Sequence, residues 1–169
     1  MQETDYVVVE SSLVEMFTSG YDPACKYLKR IDFDLPRAIG HFRVDCTFTT
    51  EERKDIGHFS AFEHVLCFNQ MAFTTFSKAF NDGFFPDAPK IAYEDFVDLR
   101  QSRCWILGMD KIRYRQAFAP NVEFKGVLTI KDHIYKPEKH LLISNTHFDI
   151  ADGKATADVT IAVRTLVNK

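Results

Sequence analysis

The sequence predicts an α+β fold in which a curved antiparallel sheet wraps one long buried helix. Three observations carry this. Residues 39–49 alternate apolar and polar side chains as a strand does. Residues 60–80 form one helical run that is apolar on nearly every face. Four further alternating segments follow between Arg103 and Val167. Strands grouped around one helix make a layered α+β architecture, not a parallel βαβ sheet.

Taken in order, residues 1–10 read as a loose arm or an added strand. Leu13, Val14 and Phe17 mark a short helical stretch that stops at Ser19-Gly20, and Tyr21-Asp22-Pro23 form a turn. In the strand Ile39–Thr49, Phe42, Val44, Cys46 and Phe48 point one way. His41, Arg43, Asp45 and Thr47 point the other. A charged connection, Thr50–Asp55, leads to the helix. Ser60 and Glu63 form an S-x-x-E capping box at its start, and Asn81-Asp82-Gly83 closes it. Phe84–Pro89 is a loop, and Ile91–Leu99 suits a short helix. Strands follow over Arg103–Phe118, Val122–Lys131, His140–Ile150 and Ala155–Val167, with Asp152-Gly153 as a hairpin signal between the last two. One buried helix inside such a sheet is the hotdog arrangement. The whole chain, 1–169, reads as a single domain.

The bulk properties narrow the function. The 169 residues can bury a core without a metal or disulfide staple. A net charge of −3 and no long basic run argue against a nucleic-acid partner. Met1–Glu10 carries Glu3, Asp5 and Glu10 and has no cationic start, so it does not read as a signal peptide. No run of about 18 apolar residues is present, so no membrane-spanning helix is expected. Cys25, Cys46, Cys67 and Cys104 are scattered, as reduced thiols of a cytoplasmic protein would be. Sixteen phenylalanines suit an aromatic core first, and a cavity for a greasy substrate second. There is no GxGxxG, P-loop or GxSxG, and His41, His58, His64, His133, His140 and His147 have no tight ligand spacing. No metal or cofactor is expected.

That leaves Gly57 to Gln70. A helix start offers free amides and partial positive charge, where a thioester carbonyl would find an oxyanion site. His58, beside Gly57, suits acid–base work near neutral pH. Asn69 lies about two and a half turns into the helix, where a buried amide needs a partner. Other residues have plainer readings. Ser60 and Glu63 serve as helix caps before anything else. His64 reads as structural and Cys67 as inert. Asn69 and Gln70 suit bonds to neighbouring strands as well as they suit contact with substrate.

The run GHFSAFEHVLCFNQMAF, residues 57–73, resembles the helix signature of the FcoT-like family. These are mycobacterial-type long-chain fatty-acyl-CoA thioesterases with a hotdog fold. Gly57, His58, Phe59, Glu63, Cys67, Phe68, Asn69 and Gln70 carry the match. Tyr21 and the nearby Cys25-Lys26-Tyr27-Leu28 resemble the family's N-terminal tyrosine region. The resemblance implies an acyl-CoA or acyl-carrier-protein substrate. Through relatives in isonitrile lipopeptide pathways, it also implies addition of glycine to the β-carbon of a 2-enoyl thioester before hydrolysis. It maps the family's N-terminal tyrosine to Tyr21 and its helix amide to Asn69, which join His58 as catalytic candidates, with Gly57, Phe59, Ser60 and Glu63 expected around the substrate. Two departures stand out. Ser60 replaces the family's Asn after GHF, and Glu52 falls near a family tyrosine. That carboxylate would act as a general base or bind an amine; alternatively, the nearby Lys54 would meet the cofactor's phosphates. Hotdog enzymes pair with the active site between subunits, so a homodimer or dimer of dimers is expected. A hydroxyacyl-thioester dehydratase or hydratase, and a non-catalytic acyl-binding protein, are the competing readings.

Overall fold

A computed structural model describes residues 3–45, 47, 59–119 and 121–166. Helix α1 spans Glu3–Thr18 and strand β1 Leu28–Asp34. Strand β2 spans Arg37–Arg43, helix α2 Ala61–Asp82 and helix α3 Tyr93–Ser102. The remaining strands are β3 (Cys104–Tyr114), β4 (Glu123–Lys136), β5 (Leu141–Ile150) and β6 (Ala155–Arg164). The strands form one antiparallel sheet in the order β1-β2-β4-β5-β6-β3. This is the expected α+β hotdog architecture, with α2 as its central helix.

Helix α2 starts and stops where its sequence dictates. Ser60 is extended and caps it, and the full capping box with Glu63 is present. Gly83 closes it in the left-handed region at φ 76°, its N–H reaching the carbonyls of Ala79 and Phe80. One face packs on the sheet through Cys67, Phe68 and Met71, all fully buried. Phe68 meets Phe148 of β5 edge-on at 5.6 Å. The sheet admits this contact because Gly40 of β2 pairs with Gly126 of β4. A Cβ on Gly40 would lie 2.6 Å from Phe42 and 3.0 Å from the Met71 sulfur. The expectation that α2 is covered on every side is corrected. Ala61 and Phe62 are exposed, and Val65, Leu66 and Phe73 are half-buried, because the sheet wraps only part of its circumference.

Other differences have local causes. Residues read as a loose arm or added strand begin α1 at Glu3 instead. Strand β1 was not foreseen. A bulge between Leu28 and Arg30 and the charged Lys29, Arg30, Asp32 and Asp34 hide its alternation. Strand β2 leaves the ladder at Arg43, although Val44 stays buried and its carbonyl accepts from the Asn121 N–H at 2.8 Å. Cys46 and Phe48 lie outside the described residues. Strand β4 runs on to Lys136 because a bulge between Ile130 and Asp132 resets its faces. The Asp152-Gly153 hairpin forms as expected, with Ile150 paired to Ala155 and positive φ at Ala151, Asp152 and Gly153.

The two sheet edges differ in character. On β1, Asp32 pairs with Arg30 and His41, each at 2.9 Å. On β3 none of the eleven residues is buried, and Trp105, Ile106 and Leu107 are exposed in succession. An apolar strand edge with free backbone groups is a template for pairing with another strand.

Candidate active site

The helix start is built for rigidity. The Ser60 N–H donates to the Glu63 carboxylate at 2.9 Å, and the Ser60 hydroxyl also donates to Glu63. The Phe62 N–H donates to Ser60 Oγ at 3.2 Å. Phe59 stacks on Phe118 at 4.4 Å, and its N–H reaches the Phe118 carbonyl. Ser60 and Glu63 thus carry the capping roles read from the sequence. The Ala61 N–H is left as a helix-start amide with no acceptor among the described residues. Phe59, Ser60, Ala61, Tyr114 and Phe118 line an open cleft of about 470 Å³.

Asn69 lies elsewhere. Nine positions beyond Ser60 is two and a half turns, so it sits on the opposite side of α2, about 13 Å further along the axis. It is half-buried and lines an apolar cavity of about 310 Å³ with Phe68, Phe73, Phe76, Phe96 and Trp105. Its amide makes no hydrogen bond among the described residues.

Gln70, the next residue, faces inward and is fully buried. Its Oε1 accepts from the N–H groups of Tyr27 and Leu28 at 3.0 and 2.9 Å, and its Nε2 donates to the Cys25 carbonyl at 2.6 Å. Gln70 therefore holds the chain where β1 begins. Tyr21 follows α1, its N–H bonded to the Thr18 carbonyl at 3.0 Å. It lines neither the Asn69 cavity nor the helix-start cleft. Glu52, Lys54, Gly57 and His58 lie outside the described residues.

Sequence reasoning missed Tyr114. Its hydroxyl lies 3.1 Å from His64 Nδ1, and the two rings meet edge-to-face at 5.6 Å. The residues are fifty positions apart, so no short motif could signal the pair. His64 is 1% exposed, and its Nε2 has no partner among the described residues. Burial pushes the imidazole down to about 4, so it is neutral at pH 7. Burial, and then the Glu63 carboxylate, push the Tyr114 phenol up. The Cys67 and Cys104 thiols are poor nucleophiles. Burial, and then Glu63, raise Cys67 well above its ordinary value, and burial pushes Cys104 up to about 12. The described residues hold no group of three or more His, Cys, Asp or Glu side chains set to bind a metal. None of the helices is long and apolar enough to cross a membrane.

A long central helix wrapped by a six-stranded antiparallel sheet is the hotdog fold. The chain belongs to the FcoT-like thioesterase family, whose domain model matches residues 17–163. It is accordingly a hotdog enzyme of acyl thioesters. No curated protein sequence matches it significantly. Among solved structures it is similar to the dehydratase heterocomplex ApeI:P from Xenorhabdus doucetiae. There the identity is 10% and the TM-score 0.53, over 90% of this chain and 91% of that one. Zebrafish thioesterase superfamily member 2 aligns at 12% identity and TM-score 0.49, over 90% and 93%. The PaaI protein from the Escherichia coli phenylacetic acid degradation operon aligns at 8% and 0.44, over 94% and 97%.

Proposed function

We propose that the protein hydrolyses acyl thioesters at a site shared by two copies of the chain. The observation that carries this is the Asn69 amide, unbonded among the described residues, in an otherwise apolar cavity. The cavity would take the acyl chain, and the amide would meet the polar end of the substrate. The helix start would polarise the carbonyl, yet in one chain it lies on the far side of α2. Strand β3 links the two places, with Trp105 at the Asn69 cavity and Tyr114 at the helix-start cleft. Antiparallel pairing of β3 with its own copy about Met109 sets Cys104 of one protomer opposite Tyr114 of the other. That brings the Asn69 cavity of one protomer to the helix start of its partner. The homodimer is the working unit, and a dimer of dimers would double it.

In this reading His58 and Glu52 handle protons and water, with Gly57 beside the carbonyl, and Tyr21, to which the resemblance gives a catalytic role, lines neither place. Water adds to the thioester carbon, and the thiol of coenzyme A or a carrier protein leaves with a proton. A second reaction fits the same polarised carbonyl. The glycine nitrogen bonds to C3 of a 2-enoyl thioester, C2 takes the proton, and hydrolysis follows. Incubation with acyl-CoAs of graded length, and with crotonyl-carrier protein plus glycine, separates the two. Thiol release from acyl-CoA alone supports hydrolysis, and a glycine adduct supports the addition. No thiol in either assay contradicts the proposal, and a tightly held acyl chain without thiol release would favour an acyl-binding protein.

A further inference from the structure

His64 and Tyr114 form a pair that helix capping does not explain. His64 is buried among Phe59, Tyr114 and Phe148, with ring centroids at 6.4, 5.6 and 5.5 Å. The only polar contact of its imidazole among the described residues is the Tyr114 hydroxyl. An apolar side chain of similar size would fill that place without leaving a buried nitrogen unpartnered.

The unpartnered nitrogen decides the direction of the hydrogen bond. A neutral imidazole carries its proton on one nitrogen. A proton on Nε2 would strand a buried N–H donor, which folded proteins rarely tolerate. A proton on Nδ1 leaves only an unused lone pair at Nε2, which they tolerate more readily. We assign the proton to Nδ1, which donates to the Tyr114 oxygen. The Tyr114 O–H is then free to point into the cleft that it shares with Ala61. Low basicity of the buried ring and a raised phenol keep both groups neutral around pH 7.

We infer that the Tyr114 hydroxyl and the Ala61 N–H together receive the thioester oxygen, with His64 as the positioning residue that aims the hydroxyl. This rests on the proposed thioester chemistry and names two of its donors. Both act by hydrogen bonding alone, on the oxygen that gains charge as water adds.

The test uses the full chain. Tyr114→Phe keeps the ring, and the side chain is 46% exposed, so the variant will fold. It should lose about 100-fold in kcat with little change in KM, the scale of one oxyanion donor. His64→Leu should lose a similar factor, and the Tyr114→Phe/His64→Leu double variant should be no slower than Tyr114→Phe alone. His64→Asn, which keeps a donor near Nδ1, should restore most of the rate. Unchanged kcat in Tyr114→Phe, or additive losses in the double variant, would overturn the inference while leaving hydrolysis intact. A binding measurement stands apart from turnover. Tyr114→Phe should weaken binding of an acyl-CoA ketone analogue about tenfold and leave a carbonyl-free thioether analogue unchanged. Equal effects on both analogues would overturn it too.

Discussion

Asn69 and Gln70 are adjacent amides with opposite assignments, and exchanging each for Leu separates them. Gln70→Leu removes three hydrogen bonds in a fully buried place and strands the Leu28 N–H, while the Tyr27 N–H keeps the Cys25 carbonyl at 3.0 Å. A buried polar group left unmade costs roughly 1–3 kcal/mol. The Cys25 carbonyl, in a half-buried residue, can turn to water. One stranded donor therefore puts the loss at roughly 1–3 kcal/mol, a sizeable share of an ordinary folding free energy. At about 2–4 °C per kcal/mol for a chain of this size, Tm should fall by roughly 2–12 °C. Asn69→Leu removes no hydrogen bond to the described residues and adds apolar surface to an apolar wall, so its stability should stay within about 1 kcal/mol of the parent. Its thioesterase rate should nonetheless fall about 100-fold or more, the scale of a lost carbonyl donor. Urea titration with matched m-values gives the stabilities, and thiol release gives the rates. Equal destabilisation by the two variants, or full activity in Asn69→Leu, would refute the division of roles.

Further expectations concern the scaffold. Gly126→Ala places a Cβ 2.7 Å from Phe42 and 3.0 Å from Phe148, so it should destabilise by about 1–3 kcal/mol in denaturant melts. His64 is held neutral when folded, down to about 4 against 6.5 when unfolded. Between those values the unfolded chain binds the extra proton. Stability should therefore fall as pH falls from 6.5 to 4, by about 3 kcal/mol in all at 1.36 kcal/mol per pH unit. His64→Leu should remove that part of the slope, and parallel pH profiles for the two proteins would refute the assignment. Leu107→Lys, on the exposed β3 edge, should shift sedimentation toward monomer and lower thiol release with it. Retained dimer in that variant would move the interface off β3.

The parts legible in the sequence are those where several local signals agree. Helix α2 had its cap, its apolar run and its closing glycine in one stretch, and the structure reproduces all three. Strand β1 had none of these, because its bulge breaks the alternation and its edge position favours charge. The site was legible only in pieces. Asn69 and Ser60 are close in sequence, but the helical turn puts them on opposite sides of α2. Tyr114 reaches His64 only because β6 carries β3 along the sheet edge, a non-local pairing that no spacing encodes. Gln70 could not be told from Asn69 by type. The difference is the 100° step around the helix, which turns one amide to β1 and the other to the cavity.

A shared site makes one prediction that a site within one chain does not. Inactive Asn69→Ala and inactive Tyr114→Phe proteins, unfolded and refolded together, form mixed dimers. In a mixed dimer one site carries both lesions and the other carries neither. Random pairing makes about half the dimers mixed, each with one intact site of two, so about a quarter of the parent rate should return. If each site lies within one protomer, every site keeps a lesion and the mixture stays as slow as its parents. That second result would contradict the shared site.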